Sequence, residues 1–301
     1  KPETGKTFED YMREYLNTHE DKNECPLPIV SGAIGYFSYD YGREQMGVPT
    51  GEKDLVTIPE AVLTFYDCFI VEDCREKRTY LVSNGITGNA PELIRSMEKE
   101  IQENVKFGKI SVSEAEKKIT DPVSHREKFK IQVHPNFEKE EYKQAVDRMI
   151  RYIIEGDIYI ANMTQQLTIE SKKQPLDVFY DLRKNNPSPF GGYMDFGDYQ
   201  IICASPERFL KMKDRHVNTR PIKGTRKRGA TLEKDEMLRK ELEDSGKDKS
   251  ELLMIVDLER NDLNRVCTPG SVKVTELFTV EAYATVFHLV SDIEGTLADD
   301  K

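Results

Sequence analysis

Apolar residues recur at two spacings along the chain, and each spacing predicts a different element. Short runs rich in aromatic and β-branched residues predict strands; they lie at residues 30–41, 61–71, 79–82, 158–169, 190–195, 199–204 and 208–212. Apolar residues three or four positions apart predict amphipathic helices, which lie at residues 91–105, 142–155, 175–184 and 232–258. Strands and long helices that do not alternate strictly indicate the α+β fold class.

Residues 107–140 are dense in lysine and glutamate and show neither spacing, so they predict a connection rather than part of a core. We therefore divide the chain into an amino-terminal lobe at 1–120, a connection at 121–138 and a carboxy-terminal region at 139–301. A chain of 301 residues is long enough to bury a large core, in one domain or in two lobes.

Composition and charge exclude several classes of function. The formal net charge of −10 argues against a nucleic-acid partner, because nonspecific binding needs a basic surface. No apolar run approaches the length of a membrane span, and the charged first residues do not form a signal peptide, so we expect no membrane partner. The five cysteines are odd in number and lack CxxC spacing, which favours reduced thiols in a cytoplasmic protein.

Lys223 lies in a short basic segment, Arg220–Gly229, where proline and glycine constrain the backbone on both sides of it. Pro221 fixes its own φ, and Gly224 allows a ligand to approach the backbone closely. Neighbouring positive charges disfavour the ammonium form of the lysine, and a neutral amine is a nucleophile. A basic cluster in an acidic chain also suits a small anionic ligand. A solvated basic loop is the alternative that the residues alone leave open.

Three carboxylates and one histidine are further candidates for chemistry. Glu207 follows a strand at a proline turn among apolar neighbours, where a partly buried carboxyl can act as a general acid; a surface pair with Arg208 is the alternative. Asp248 and Glu251 stand three residues apart on one helix face, which suits an oxygen-ligated Mg²⁺ or, more simply, the helix dipole. His288 lies in an apolar run, where a hydrogen-bonded core histidine is more common than a catalyst.

Taken in order, seven segments of the chain resemble the chorismate-utilising enzymes. These segments are GAIGYFSYDYG, GDIYIANMTQ, NPSPF, ASPERF, RPIKGTRKRG, SELLMIVDLERNDLNRVC and FHLVSDIEGTL. The family includes anthranilate synthase component I, aminodeoxychorismate synthase component I and the isochorismate and salicylate synthases. The resemblance implies an anthranilate synthase component I-like fold of the α+β class, with antiparallel sheets packed face to face and helices outside. It also implies a cytoplasmic, Mg²⁺-dependent enzyme that acts on chorismate and receives ammonia from a glutamine amidotransferase subunit.

Two positions choose among the activities of this family. Where the water-adding members carry a lysine, this chain has Ile160, which has no acid–base capacity. In the PIxGT motif the anthranilate synthases usually have alanine, whereas the aminodeoxychorismate synthases have lysine, as at Lys223 here. The resemblance therefore implies amination of chorismate at C4 to 4-amino-4-deoxychorismate, for 4-aminobenzoate and folate synthesis. Amination to anthranilate, or a non-catalytic ligand-binding scaffold, are the alternatives.

The same resemblance implies a role for the lysine and for each carboxylate. Lys223 would attack C2 of chorismate and form a covalent intermediate, while Glu207 protonates the departing C4 hydroxyl. Glu251 would ligate Mg²⁺, with Asp248 nearby or acting through water, and the metal would hold the ring carboxylate of the substrate. Para-amination would then follow from attack of ammonia at the C4 that the lysine leaves open.

Three further residues would contact the substrate. Gly224 and Thr225 would offer a backbone amide and a hydroxyl to the ring carboxylate, and His288 would place the substrate. Tryptophan binds in this family near the NPSPF segment, so residues 186–190 are a candidate tryptophan site.

The family pattern continues beyond the last residue of this chain. Members extend into a PGGSxTGAPK segment that supplies further Mg²⁺ carboxylates, whereas the matching segments here end near Lys301. We expect the chain to be a fragment truncated at both ends, with an incomplete metal site and little activity on its own.

Overall fold

Two compact units make up the chain, Lys1–Thr120 and Asp121–Lys301. The computed structural model describes residues 5–19, 25, 27–48, 56–106, 132–299 and 301. Most of the connection predicted at 121–138 therefore lies outside the described residues. No helix in the described part of the chain is long and apolar enough to cross a membrane.

In its described residues, the first unit consists of helices and two antiparallel pairs of strands. Its helices are α1 (Phe8–Thr18), α2 (Tyr39–Gln45) and α3 (Ala90–Lys106), and its strands are β1 (Ala33–Phe37), β2 (Ala61–Phe65), β3 (Cys68–Asp73) and β4 (Arg78–Ser83). β1 pairs with β2, and β3 pairs with β4. The strand predicted at 30–41 is wrong over its last residues, because the Ser38 hydroxyl accepts the Tyr41 N–H at 3.2 Å and α2 begins there. The strand predicted at 61–71 is two strands.

The second unit contains the longest strands and carries every candidate catalytic, binding and metal residue. Its helices are α4 (Lys139–Glu155), α5 (Pro175–Asn185), α6 (Leu232–Asp244) and α7 (Gly246–Asn264). Its strands are β5 (Val133–Pro135), β6 (Leu167–Ile169), β7 (Phe190–Asp195), β8 (Gln200–Ser205), β9 (Arg208–Lys213), β10 (His216–Arg220), β11 (Ile222–Lys227), β12 (Lys273–Ala282) and β13 (Val286–Thr296). The strand predicted at 158–169 is reduced to β6, and the sequence pattern does not predict the last four strands.

A five-stranded antiparallel sheet forms the centre of the second unit. β13 pairs with β12 along one edge, and with β11 and then β10 along the other. β9 extends the sheet beyond β10. Every strand pair in the described residues is antiparallel, which confirms the α+β prediction.

α6 and α7 pack against this sheet through one continuous apolar core. Buried side chains of the two helices, of β13 and of neighbouring positions form it: Val217, Leu242, Leu252, Val256, Leu263, Cys267, Phe287, Leu289 and Ile293. The single helix predicted at 232–258 is wrong, because Ser245 separates two helices. Its hydroxyl accepts the Asp248 N–H at 3.2 Å, which satisfies a free amide at the start of α7.

Candidate active site

β10 and β11 meet at Pro221, and the side chains with candidate chemistry lie around this corner. Glu207 lies in the turn between β8 and β9, and its Oε1 accepts the Ile222 N–H at 2.8 Å. The neighbouring Arg208 donates to Asn218 Oδ1 at 2.7 Å. Glu207 is exposed, so the burial that would prepare it as a general acid is not present. The structure instead ties its carboxyl to the first residue of β11.

Lys223 lies within β11 rather than in a solvated loop, so that alternative is wrong. The pairing of β11 with β13 shifts between Ile222 and Thr225, where three steps along β11 match two along β13. The extra residue makes a β-bulge at Lys223 and Gly224, and bulges of this kind redirect a side chain out of the regular alternation of a strand. The half-buried Lys223 is therefore aimed by the sheet itself.

Gly224 allows this bulge because no other residue fits its position. Its φ of +80° lies in the left-handed region that favours glycine. A Cβ atom added at this position would lie 2.8 Å from the Asp248 Cβ and 2.9 Å from the Leu242 Cδ1. β11 can therefore pass close to the junction of α6 and α7 only with glycine here.

His288 is buried in β13, directly opposite Thr225. Its Nδ1 lies 2.9 Å from the Thr225 Oγ1, and the Gly224 backbone also hydrogen-bonds to the ring. The Tyr283 ring packs edge-on against it, with 5.3 Å between the ring centroids. Burial lowers the pKa of His288, which keeps the ring neutral at pH 7. The residue is thus a hydrogen-bonded core histidine that lies beside the bulge.

Glu259 is a functional candidate that the sequence reasoning missed. It lies on α7, half-buried against the sheet, with its Oε2 3.0 Å from the Thr219 Oγ1. Burial raises the pKa of Glu259, and the negative charge of Glu207 raises it further, against the opposing effects of Thr219 and Lys223. The sequence signal that could have identified it is its position, because Glu259 stands at helical spacing from the apolar residues of α7.

Arg220 joins three carboxylates beside the same corner. Its guanidinium donates to Asp292 Oδ2 at 2.5 Å, to Glu281 Oε1 at 2.7 Å and to Glu276 Oε2 at 2.9 Å. The Tyr283 hydroxyl donates to the second oxygen of Glu281 at 2.6 Å. A cavity of about 260 Å³ opens next to this cluster, and its lining includes Phe190, Arg208, Arg220, Ile222, Glu281, Tyr283 and Val290. Three carboxylates already surround Arg220, so Arg208 is the cation in this lining that suits a small carboxylate ligand.

Asp248 and Glu251 lie near the start of α7 but have different partners. The Asp248 carboxyl accepts from Arg226 Nη2 at 3.0 Å, and hydrogen bonding to Ser245, followed by the charge of Arg226, lowers the pKa of Asp248. Glu251 is partly exposed, with the Lys247 ammonium 3.7 Å away. Among the described residues, no group of three or more His, Cys, Asp or Glu side chains could hold a metal ion. Binding of Mg²⁺ by Glu251 and Asp248 stays a prediction; Mg²⁺ binds one or two carboxylates and completes its shell with water and substrate.

The predicted tryptophan segment, residues 186–190, connects α5 with β7 and lines two cavities. One is the cavity beside Arg220. The other, of about 280 Å³, lies between this segment and α5, and its lining includes Phe179, Leu182 and Arg183. An aromatic ring and a guanidinium group suit an aromatic carboxylate, and binding of tryptophan stays a prediction.

Comparison with known proteins identifies similar sequences and a similar fold. A family model described as chorismate binding enzyme matches residues 3–301. The chain is 36% identical over 279 residues to anthranilate synthase component 1 of Acetivibrio thermocellus, covering 90% of the chain and 55% of that protein. It is 34% identical over 286 residues to aminodeoxychorismate synthase component 1 of Bacillus subtilis, covering 95% of the chain and 59% of that protein. The crystal structure of anthranilate synthase component I from Streptococcus pneumoniae matches with a TM-score of 0.80 and 25% identity, covering 99% of this chain and 64% of that one. The chain thus spans 55% to 59% of the length of these two curated relatives.

Proposed function

The chain belongs to the chorismate-binding enzymes, and we propose that its site aminates chorismate at C4 to give 4-amino-4-deoxychorismate. The structural likeness confirms the anthranilate synthase component I-like fold. Relatives with both aminating activities match at similar identity, so the choice between C4 and C2 depends on the site. The observation that carries the choice is the β-bulge, which presents Lys223 where the anthranilate synthases usually have alanine.

The proposed reaction begins with an amine that is already positioned. Lys223 attacks C2 of chorismate, and the C4 hydroxyl leaves as water after it takes a proton from Glu207. The Ile222 N–H fixes the Glu207 carboxyl one residue away from the nucleophile, so both groups are held by the same short segment of β11. Ammonia then attacks C4, and the bond between C2 and the lysine nitrogen breaks. Positioning of this kind lowers the activation barrier of the reaction, because the catalytic groups are already in place when the substrate binds.

Substrate binding in this proposal uses the groups that line the cavity. Arg208 lines it, and its guanidinium group, which donates one N–H to Asn218, has further donors that suit a carboxylate of chorismate. Thr225 and the backbone of Gly224 lie at the bulge, where they can hydrogen-bond to the ring carboxylate. Because His288 is neutral, it can place the substrate through hydrogen bonds without adding a charge.

Magnesium and ammonia complete the proposed chemistry. Glu251 would hold Mg²⁺, and the metal supplies a positive charge that binds and polarises the ring carboxylate when it is present. Asp248 would act on the metal only through water, because Arg226 occupies its carboxyl. We also propose that ammonia comes from a separate glutamine amidotransferase subunit, as the name component 1 of the relatives suggests.

Replacement of Lys223 tests this function directly. The full-length protein is incubated with chorismate, Mg²⁺ and an ammonium salt, and products are identified by mass and fluorescence. We expect aminodeoxychorismate from the unmodified protein and a loss of several orders of magnitude in its rate of formation for Lys223→Ala. Without ammonia, a substrate adduct should be found by mass spectrometry on the peptide that contains Lys223.

A matched control is available on the same strand. Lys227 is exposed at the end of β11, and Lys227→Ala should leave the rate of product formation unchanged. Formation of anthranilate by the unmodified protein would show that Lys223 does not decide the position of amination. An undiminished rate in Lys223→Ala would exclude the covalent route.

A further inference from the structure

Glu259 lies on the face of α7 that is otherwise apolar. It lies seven residues after Leu252, three after Val256 and four before Leu263, and all three of these side chains are buried. Helix periodicity therefore directs Glu259 at the sheet. An ionised carboxylate in such a place loses hydration. A glutamate is therefore tolerated there when its charge is paired or when its carboxyl is protonated and neutral.

The Thr219 hydroxyl has one proton and two oxygen neighbours. Its Oγ1 lies 2.8 Å from the Phe209 backbone oxygen and 3.0 Å from Glu259 Oε2. The backbone oxygen has no proton to give, so the hydroxyl proton is needed for that contact. If Glu259 were ionised, two acceptors would compete for this single proton. A protonated Glu259 donates to Thr219 Oγ1, and both contacts become hydrogen bonds.

We propose that Glu259 is a protonated carboxylic acid at neutral pH and that it stores the proton delivered through Glu207 to the leaving hydroxyl. This inference rests on the proposed C4 amination, because that reaction consumes a proton at the leaving oxygen. The charges that act on Glu259 are those of Glu207, in the turn between β8 and β9, of Lys223 on β11 and of Asp262 on its own helix. Glu259 and Glu207 are, in this proposal, the pair of carboxyls through which the proton moves.

The protons and electron pairs of the reaction then balance. The lysine nitrogen bonds to C2, the C4–O bond breaks with its electron pair on oxygen, and Glu207 protonates that oxygen to give water. The proton that Glu207 donates is the one that it has received from Glu259, so both carboxyls are ionised at this point. Ammonia bonds to C4, the electron pair of the C2–N bond returns to the lysine nitrogen, and the new ammonium gives one proton back to the pair. The net change is ammonia and chorismate to aminodeoxychorismate and water.

Infrared spectroscopy of the full-length protein tests the protonation state without any turnover. We expect the absorption band of a protonated carboxylic acid at neutral pH, its loss in Glu259→Gln, and its retention in Asp257→Asn. Asp257 is a matched control because it is an exposed carboxylate on the same helix, paired with Arg260. Thr219→Val removes the acceptor of the proton and should shift the band, which keeps the test decisive if Glu259→Gln fails to fold. If no such band exists at neutral pH, the proposal is wrong.

Kinetics test the proton store itself. Glutamine can still hydrogen-bond to Thr219 but has no acidic proton, so Glu259→Gln should lower kcat by ~100-fold, the low end of general-acid effects, with little change in KM. We expect the rate of the unmodified protein to fall at high pH, where Glu259 loses its proton, and this fall should be absent in the variant. A normal rate and pH profile in Glu259→Gln would overturn the proposal even if aminodeoxychorismate forms. Conversely, if the protein makes only anthranilate but Glu259 is protonated, the proposed C4 amination is wrong, whereas the proposal that Glu259 stores a proton still stands.

Discussion

The two halves of β13 face different partners, and the difference separates stability from chemistry. Its end, from Ile293 to Thr296, pairs with β10 in a regular register. Its beginning, from Val286 to Val290, pairs with β11 across the bulge at Lys223 and Gly224. We call these parts the regular half and the irregular half by their pairing with β10 and β11; on the other edge, the pairing with β12 is irregular between Val290 and Ile293. The regular half places Ile293 in the core, whereas the irregular half places His288 beside the candidate nucleophile.

This comparison shows why one strand can both stabilise the core and position the candidate nucleophile. A bulge removes regular pairing and exposes backbone groups, which weakens a sheet locally. Here the core on either side compensates, because Leu289 and Val290 in the irregular half are themselves fully buried. The irregular half can therefore aim a lysine without unfolding, and mutations in the two halves should have different consequences.

The largest effect on stability is expected in the regular half. Ile293 is fully buried between β10 and β12, so Ile293→Ala removes its contacts and leaves a cavity. We expect the free energy of unfolding to fall by about 2–5 kcal/mol, measured by urea denaturation. Ile293→Val is the matched control and should cost about 0.5–1.5 kcal/mol. Equal losses in the two variants would show that this half is not tightly packed.

A smaller loss of stability but a larger loss of activity is expected at the bulge. Gly224→Ala forces a Cβ against Asp248 and Leu242, which should cost about 1–3 kcal/mol in the free energy of unfolding. Displacement of Lys223 by about 1 Å should also lower the amination rate by about 100-fold. Urea denaturation and product formation by the full-length protein measure the two effects.

Gly246→Ala provides the control for this substitution. A Cβ at Gly246 meets no atom within 4 Å, and the residue begins α7. The change should leave activity intact and raise stability by at most about 1 kcal/mol. If Gly224→Ala behaves in the same way, the bulge does not aim Lys223.

The sequence predicts the parts of the fold that have a clear period. The helix from Lys139 to Glu155 ends at Gly156 as expected, because that glycine adopts a left-handed conformation with φ of 83°. β13 escapes prediction because it is buried on both faces, so it shows no alternation of apolar and polar residues. The pattern does not predict β11 because four of its six residues are lysine, arginine or glycine, and only its pairing with β13 makes it a strand.

The candidate site divides in the same way. Lys223, Glu207 and His288 lie in segments with a recognisable order, so the sequence predicts them as candidates. Glu259 has no local signal other than a charge in an apolar stripe, and its importance depends on Thr219, which is 40 residues away. Contacts between distant segments of this kind follow from packing, which a single sequence does not display.

The smallest effect is expected in the pH dependence of stability at the irregular half of β13. Burial lowers the pKa of His288 in the folded state, whereas the unfolded chain binds a proton near the ordinary histidine pKa of about 6.5. Acidification below this value therefore favours unfolding, and stability falls until the folded-state pKa is passed. His288→Gln cannot titrate, so the difference in unfolding free energy between the unmodified protein and this variant should shrink as pH falls from neutral to acid. Urea denaturation across that range measures the difference. A difference in unfolding free energy that stays constant or grows on acidification would mean that the His288 ring is not held neutral beside Thr225. The two halves of β13 would then differ in pairing but not in the pH dependence of their contribution to stability.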